Sequence, residues 1–463
     1  MLMSSNIAFL AFLYFVQGLP NGLQTRFLPI YFRTHGMSLS KVGFFRLLFL
    51  PWMLKALWAP LVDRFGTKKL WLIWSMLGIA GTTFIGSFSG PDRLAELTAI
   101  LFLFNILTST QDIAVDALAI QILSSSELSH GNIAQVVAYK FGSLCGGGLF
   151  IWLSDYFTWM ALFQLLSLVY LTAVITAAIF VPKQPRCVIT IIVPDPQTDL
   201  APSQNESEAG SEKADVLENQ LAASTSSFPA AREVQEDLTG LNWLTNHLSL
   251  IMSSEGTMWT ICYVFVYKLG EQGTLSMISL YLLDRKMAAA VVGFWTGVVG
   301  LVISMLGSFI GGWAVSAYKW QPVTVLKSIA WVRTALIGVI SATVIIATMS
   351  EQEDFHSFCN FVILVSMLVL LLFSGMTTTM TFTLMMQCSQ RAPPCVQASH
   401  YSTVATIEVV GKLTFSVLVG MLADSMGYPF LFFVCTLLAA AVVPLFKYAP
   451  PVLWNQEIVN KNS

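Results

Sequence analysis

The chain is a succession of long apolar stretches separated by polar segments. A helix needs about 20 apolar residues to cross the hydrocarbon core of a membrane. Twelve stretches meet this requirement, so the pattern predicts an all-α polytopic membrane protein with twelve transmembrane helices. We place these helices at residues 7–32, 42–62, 69–88, 95–121, 132–153, 159–181, 257–283, 288–314, 322–347, 358–387, 397–421 and 428–447.

One polar segment is far longer than the others. Residues 183–255 are rich in Ser, Ala, Gln, Asp and Glu, and include the sequence SQNESEAGSEKADVLENQ (203–220). Such a composition buries too little apolar surface to offset the entropy lost on ordering, so we predict a disordered, acidic linker. The predicted organisation is therefore an N-terminal six-helix bundle (1–182), the linker (183–255), a C-terminal six-helix bundle (256–447) and a tail (448–463).

The two predicted bundles resemble each other in sequence. Residues 30–44 read IYFRTHGMSLSKVGF and residues 280–294 read LYLLDRKMAAAVVGF, with identical residues at five positions when the offset is 250. In both bundles this segment ends one predicted helix and begins the next. Parallel repeats of this kind are typical of membrane transporters.

Composition agrees with a membrane protein. Hydrophobic residues make up 55% of the chain and charged residues 11%, whereas a soluble domain carries about 25% charged residues. The formal net charge of −2 favours no nucleic-acid partner. Most of the seven cysteines lie inside apolar stretches and form no disulfide framework. Cys388 and Cys395 share one short loop and could pair or be acylated, although we expect free thiols. The first apolar stretch has no basic residue before it, so we expect it to be retained as a spanning helix.

Basic residues indicate the orientation of the helices. If both termini are cytoplasmic, the inner segments hold eight Lys and Arg residues and the short outer loops hold five. This excess on the inside has the expected sign. We therefore predict that both termini and the linker are cytoplasmic, and that Asn205, in the sequon of the linker, carries no glycan. The pattern does not distinguish the plasma membrane from an internal membrane.

Charged residues inside the predicted helices are the first candidates for function. A charge at membrane depth is costly, so it usually faces a cavity or a partner. Ten such residues lie on six of the predicted helices, and positive charge exceeds negative charge by two, which favours an anionic solute. They are Arg26, Arg46, Lys55, Lys140, Lys268, Lys412, Asp112, Asp116, Glu271 and Glu408. The ninth helix adds Lys327 and Arg333.

We predict substrate contacts for the lysines in the middle of the helices, namely Lys55, Lys140, Lys268 and Lys412. Purely structural ion pairing is the alternative. Glu408 lies four residues before Lys412 and Glu271 three residues after Lys268, so each pair shares a helix face and can form an ion pair.

Carboxylates are the candidates for proton coupling and for gating. Asp112 lies deep in the fourth helix, where it can load and release a proton, and Glu408 is the second candidate for this role. Asp116 shares a helix face with Asp112 but lies nearer the inner end. We predict that it belongs to a gate, paired with Arg64 or Lys69.

Four motifs identify a family. The sequence APLVDRFGTKK (59–69) resembles the loop signature of major facilitator transporters, G-x-L-x-D-R-x-G-R-K, although Ala59 and Thr67 depart from it. The sequences LYFVQGLPNGL (13–23), PWMLKALWAPLVDR (51–64) and STQDIAVDALA (109–119) resemble the branch that holds the AmpG muropeptide permeases and the acetyl-CoA transporters of solute carrier family 33.

This resemblance implies the twelve-helix major facilitator fold and a bulky, anionic, acetyl-CoA-like solute. For the permeases it also implies proton symport. The functional positions that it implies are Lys55, Asp63, Gln111, Asp112 and Asp116, and we count Gln111 among the predicted substrate contacts. In the family the loop signature bridges the halves and locks one conformation, which assigns Asp63 and Arg64 to the gate. Asp63 can accept hydrogen bonds from the backbone N–H groups of a neighbouring helix start.

Other classes of function lack their sequence signatures. The chain contains no Walker loop, no H-E-x-x-H motif and no G-x-S-x-G motif, so we predict no enzyme activity, no cofactor and no metal. We predict a monomeric, alternating-access secondary transporter of a small organic solute, with membrane lipids and possible coupling protons as its other partners. The alternative is a transporter-like scaffold or sensor without net transport, in which the central charges would be dispensable and the linker would not.

Overall fold

The computed structural model describes residues 5–35, 48–90, 93–181, 241–349 and 352–454. The chain divides into two compact units. One consists of residues 1–186 with 247–463, and the other of residues 187–246. The helices described below as spanning helices belong to the first unit. Arg46, Cys187 and Asn205, and the predictions made for them, lie outside the described residues.

The first six spanning helices follow the predicted order, and three of them contain irregular turns. The first helix contains a π-helical segment at Leu23–Phe27, which follows Pro20, and the fifth contains two. The second is built from the pieces Leu50–Leu54, Lys55–Leu57 and Ala59–Arg64. The other bounds are Ser5–Thr34, Lys68–Gly86, Leu94–Ile122, Leu128–Leu153 and Trp159–Phe180.

The second six helices follow a short extra helix, Leu241–Ser253, which we call the linker helix. The seventh spanning helix consists of Thr257–Val266 and Leu269–Asp284. The eighth runs from Ala289 to Tyr318, with a π-helical turn at Phe294–Val299. The last segment, Gln397–Leu445, is two helices that meet at Gly427, whose φ of 78° interrupts the helix. The ninth and tenth helices are Pro322–Met349 and Glu353–Arg391.

The predicted twelve-helix architecture is confirmed. Nine helices in the described part of the chain are long and apolar enough to cross a membrane. The last of them contains the eleventh and twelfth helices, and the broken second and seventh helices complete the set. The prediction of disorder across 183–255 differs from the structure at its end, where the linker helix forms; residues 182–240 lie outside the described part. We call the end of the bundle where the sixth helix stops at Phe180 the linker end.

Glycines let the first and fifth helices touch through their backbones. A Cβ atom on Gly18 would lie 2.1 Å from the carbonyl oxygen of Tyr139, and one on Gly146 would lie 2.1 Å from that of Leu19. Gly142 lies equally close to the first helix, so a row of small residues lets the two backbones approach each other. A Cβ atom on Gly293 of the eighth helix, by contrast, would meet nothing within 4 Å among the described residues.

The outer surface of the bundle is apolar. On the sixth helix, Ile175, Ile179 and Phe180 are 60%, 70% and 59% exposed, while Ser167 and Tyr170 of the same helix are buried. In water this arrangement would be unfavourable, but hydrocarbon is the natural surrounding of such a face. The polar side chains therefore collect inside, between the helices.

Candidate functional site

Three lysines lie where the helices that carry them are irregular. Lys55 begins the 3₁₀ segment of the second helix, and Lys268 separates the two pieces of the seventh. Lys140 lies between the two π-helical segments of the fifth helix, Ala134–Ala138 and Cys145–Leu149. Irregular turns of this kind are frequent at functional sites, because they redirect side chains and backbone groups. In the sequence, Gly270 lies two residues after Lys268, next to the break in the seventh helix.

Lys55 and Asp112 form a buried ion pair between the second and fourth helices. Both residues are more than nine-tenths buried. Gln17 of the first helix donates a second hydrogen bond to the same carboxylate. The structure therefore joins the predicted substrate-binding lysine to the predicted proton site. Lys55 thus forms an ion pair between helices, which was the alternative to a substrate contact.

Asp116 lies one helical turn from Asp112 but has a different environment. Its Oδ1 accepts hydrogen bonds from the Tyr14 hydroxyl, at 2.9 Å, and from Gln135 Nε2, at 3.0 Å. The predicted pairing of Asp116 with Arg64 or Lys69 is wrong. Lys69 Nζ instead donates to two carbonyl oxygens at the end of the sixth helix. The guanidinium of Arg64 lies over the ring of Phe65, at 5.4 Å from its centroid.

Lys140 joins the two halves in the middle of the bundle. Its Nζ donates to Ser304 Oγ at 2.7 Å and to Ser308 Oγ at 3.5 Å, and both serines belong to the eighth helix. Within the described residues, Lys140 forms no ion pair. Lys268 and Glu271 of the seventh helix lie within range of its charge. Lys140 is therefore a half-buried cation whose direct partners are neutral hydroxyl groups.

Lys268 is also held by a hydroxyl group rather than by a carboxylate. Its Nζ donates to Thr378 Oγ1 at 2.7 Å, and the nearest oxygen of Glu271 is 3.9 Å away. Glu271 pairs closely with Arg333, whose Nη2 lies 2.6 Å from Oε2, and accepts a hydrogen bond from Ser374. The ion pair that the sequence offered between Lys268 and Glu271 is therefore only a marginal contact.

Glu408 and Lys412 form the predicted ion pair along the eleventh helix, at 2.6 Å. The Tyr267 hydroxyl donates to the second oxygen of Glu408, at 2.7 Å. Arg333 donates to the backbone carbonyl of Tyr267, so this pair and the Glu271 pair are linked through one residue of the seventh helix. The carboxylate of Glu408, the second predicted proton site, is thus neutralised by a cation, as Asp112 is by Lys55.

Gln111 is fully buried, and neither polar atom of its side-chain amide has a hydrogen-bond partner among the described residues. A buried amide without partners is unfavourable unless something else bonds to it. Its predicted contact with solute stays a prediction, because this conformation leaves no part of the side chain exposed.

At the linker end, Asp63 connects the second helix to the start of the eleventh. Its carboxylate accepts hydrogen bonds from Ser399 N at 2.8 Å, Ser399 Oγ at 2.6 Å and Ala398 N at 3.3 Å. Lys68 forms an ion pair with the same carboxylate, at 2.6 Å. The partial positive charge of a helix N-terminus and the cation both stabilise this buried anion. The contact is of the kind that the loop motif implied.

Further hydrogen bonds join the halves at the same end. Gln390 Nε2, at the end of the tenth helix, donates to the carbonyl oxygens of Leu123 and Ile120 at the end of the fourth. His130 of the fifth helix bonds Ser316 of the eighth at 2.8 Å. The linker end is therefore closed by several independent contacts between the halves.

His247, from the linker helix, adds to the Asp63 cluster. Its Nε2 lies 2.9 Å from Ser399 Oγ and 3.9 Å from Asp63 Oδ2. Burial lowers the pKa of His247, although the nearby Asp63 carboxylate opposes this shift. Ile251 of the same helix packs on Ala392 and Val396, in the loop before the eleventh helix.

Sequence reasoning missed the neutral partners of the central charges. Tyr14, Gln135 and Tyr267 each bond a buried carboxylate, but they carry no charge and so were not among the charged candidates. Arg333 lies on the ninth helix, and no partner or role was predicted for it from the sequence. The sequence did contain a signal for Arg333. A charge inside a membrane helix is costly, so Arg333 needs an anion at the same depth.

Cys388 is a buried free thiol, as expected, and Cys395 is half-buried. The described part of the chain contains no cluster of His, Cys, Asp or Glu residues able to hold a metal ion.

Comparison with known proteins agrees with this architecture. The family model described as Major Facilitator Superfamily matches residues 10–401. The anhydromuropeptide permease of Escherichia coli is 26% identical over 315 residues, which is 66% of this chain and 54% of the permease. The chain spans about half the length of the curated relatives that it matches first.

Solved structures share the fold at low sequence identity. The Escherichia coli fucose:proton symporter FucP superposes with a TM-score of 0.64 at 15% identity, over 96% of this chain and 98% of the symporter. The human organic anion transporter MFSD10 superposes with a TM-score of 0.60 at 11% identity, over 95% of this chain and 98% of that protein.

Proposed function

The chain belongs to the Major Facilitator Superfamily, and from this premise we propose an alternating-access carrier of a small organic solute that bears an anionic group. The Escherichia coli relative is a permease by name and the structural neighbour FucP is a symporter by name, which supports transport as the general function. The solute class and the coupling ion are our inference from the central charges.

The observation that carries the proposal is the pair Lys140 and Lys268. One comes from each half, and each directs its ammonium group to hydroxyl groups. Lys55, Arg333 and Lys412 are already neutralised by carboxylates. A partly buried cation whose direct partners are neutral is costly, so an incoming carboxylate or phosphate would gain strong, charge-assisted hydrogen bonds. A solute held by both lysines would also contact both halves.

The contacts at the linker end support a cycle in which that end opens and closes. The Asp63 cluster and the Gln390 bonds hold the halves together there. Release of solute on that side requires these bonds to break, so we infer that this conformation is closed at the linker end. Basic residues at that end, including Arg64 and Lys319, support a cytoplasmic orientation.

Solute flux into proteoliposomes that contain the purified full chain tests the proposal. Labelled acetyl-CoA is the first probe, since the sequence resemblance favours it, and smaller carboxylates and zwitterions follow. We expect uptake of at least one carboxylate- or phosphate-bearing solute, with a loss of at least tenfold in Lys140→Ala and in Lys268→Ala. Lys327→Ala is the matched control, because Lys327 is exposed on the ninth helix, and it should retain uptake.

Two outcomes would contradict the proposal. Uptake that survives both central lysine changes would remove the proposed binding role. A folded, inserted protein that moves none of the probes would favour a scaffold or sensor over a carrier.

A further inference from the structure

The four carboxylates buried in the middle of the bundle have different partners. Asp112, Glu271 and Glu408 each form an ion pair. Asp116 is 3% exposed and forms none with the described residues. Its Oδ1 accepts only from neutral donors, and its Oδ2 accepts from no described residue. An ionised carboxylate buried in this way is costly, and uptake of a proton removes the charge.

Gln135 connects Asp116 to the other half. Its Nε2 donates to Asp116 Oδ1 at 3.0 Å and to the Tyr401 hydroxyl oxygen of the eleventh helix at 3.3 Å. Its Oε1 is buried and has no partner among the described residues. This orientation suits an ionised Asp116, which can only accept hydrogen bonds. With the amide turned over, Oε1 would accept from a protonated Asp116 and from the Tyr401 hydroxyl.

Other titratable groups also face Asp116, and most of them are tyrosines that stay neutral in the physiological range. The cation among these groups, Lys55, is already paired with the carboxylate of Asp112. The groups are Tyr14 of the first helix, Lys55 of the second, Asp112 of the fourth, Tyr139 of the fifth and Tyr401 of the eleventh.

We propose that Asp116 binds the coupling proton, and that Gln135 reports its protonation to Tyr401 in the second half. The carboxylate takes up one proton from water on one side of the membrane and returns it on the other, with no other bond made or broken. The amide of Gln135 turns over when the proton binds, which exchanges donor for acceptor at the contact between the halves. This inference rests on the proposed carrier function and names the ion site within it.

Infrared difference spectroscopy on the full chain in phosphatidylcholine vesicles tests the site. A change of pH in the vesicle sample protonates or deprotonates carboxylates. The infrared C=O stretch of the carboxyl group then distinguishes the protonated form from the carboxylate. We expect a buried carboxyl signal that disappears in Asp116→Asn and remains in Asp112→Asn and in Glu408→Gln. A signal that survives Asp116→Asn, or that is lost in either of the other variants instead, would overturn the assignment, as would the absence of any signal.

Tyr14→Phe keeps the test decisive if Asp116→Asn fails to fold. It removes one hydrogen bond from the Asp116 carboxyl, so the frequency of the C=O stretch should shift. An unchanged frequency would assign the signal to another group. The experiment needs no solute, so it separates the two proposals. Absence of the signal from the unmodified protein alongside intact flux refutes only the proton site, whereas lack of flux alongside a normal signal refutes only the carrier.

Discussion

The two halves bring different kinds of charge to the centre of the bundle. In the second half, Glu271 and Glu408 each have a cation at 2.6 Å and a hydroxyl donor besides. In the first half, Lys55 neutralises Asp112, while Asp116 is left with a tyrosine and a glutamine. The halves share a fold and a sequence repeat, yet only the first keeps a buried carboxylate without a cation among the described residues.

This difference separates fixed charges from charges that can change. A closely paired buried charge is costly to uncover, so it holds helices in place. A carboxylate among neutral donors can gain or lose a proton by rearranging hydrogen bonds alone. The second half therefore supplies fixed charges and one available lysine, Lys268, while the first half supplies the group that can respond to protons.

Breaking a pair in the second half should have the largest effect. Arg333→Leu leaves Glu271, which is 1% exposed, without its close cation, and we expect a loss of about 3–5 kcal/mol in stability. Thermal unfolding of the purified protein measures this loss. The double variant Arg333→Leu with Glu271→Leu is the control and should recover most of it. Equal losses in the single and double variants would contradict a pairing role.

The matched change in the first half should cost much less. Asp116→Asn keeps an oxygen that accepts from Tyr14 and leaves no cation stranded, so we expect a change below about 1 kcal/mol in the same assay. A cost equal to that of Arg333→Leu would remove the distinction between the halves.

An intermediate effect is expected at the linker end, where the halves meet. His247→Ala removes one neutral hydrogen bond to Ser399, worth about 1 kcal/mol. Burial lowers the pKa of His247, so the bonded form is neutral. Its contribution is complete above the ordinary pKa of about 6.5 and is lost as pH falls through the lowered value.

Unfolding measured at pH 7.5 and at pH 5 checks this sign. The difference between the unmodified chain and His247→Ala should shrink on acidification, whereas His35→Ala, at an exposed histidine, should have little effect at either pH. A difference that grows on acidification would mean that attraction to Asp63 outweighs burial.

A similarly small effect on stability is expected at Gln111. Gln111→Leu removes an amide that has no partner in the described part of the chain, so stability should stay within about 1 kcal/mol of the original. If Gln111 meets solute at another stage of the cycle, uptake by proteoliposomes should nevertheless fall. Unchanged uptake would contradict the contact that the sequence resemblance implied.

Much of the architecture was predictable from the sequence. For the site, the sequence predicted which residues lie in it but not which of them contact each other. Six of the predicted charged residues lie inside the bundle, as the cost of charge at membrane depth required. They are Lys55, Asp112, Lys140, Lys268, Glu408 and Lys412. The partner of a charged residue was predictable where the two residues share one helix face, as Glu408 and Lys412 do. The spacing failed for Lys268 and Glu271, because Arg333 from another helix offers Glu271 a closer contact.

By itself the sequence determined the twelve spanning helices, the division into two halves and the residue types that carry charge between them. This information is local, because each spanning segment must satisfy its own backbone hydrogen bonds and present about 20 apolar residues to the membrane. Only the tertiary structure decided which carboxylate keeps a cation and which does not. That depends on how each helix is rotated about its axis and on side chains far away in the chain, such as Tyr14 and Gln135 around Asp116.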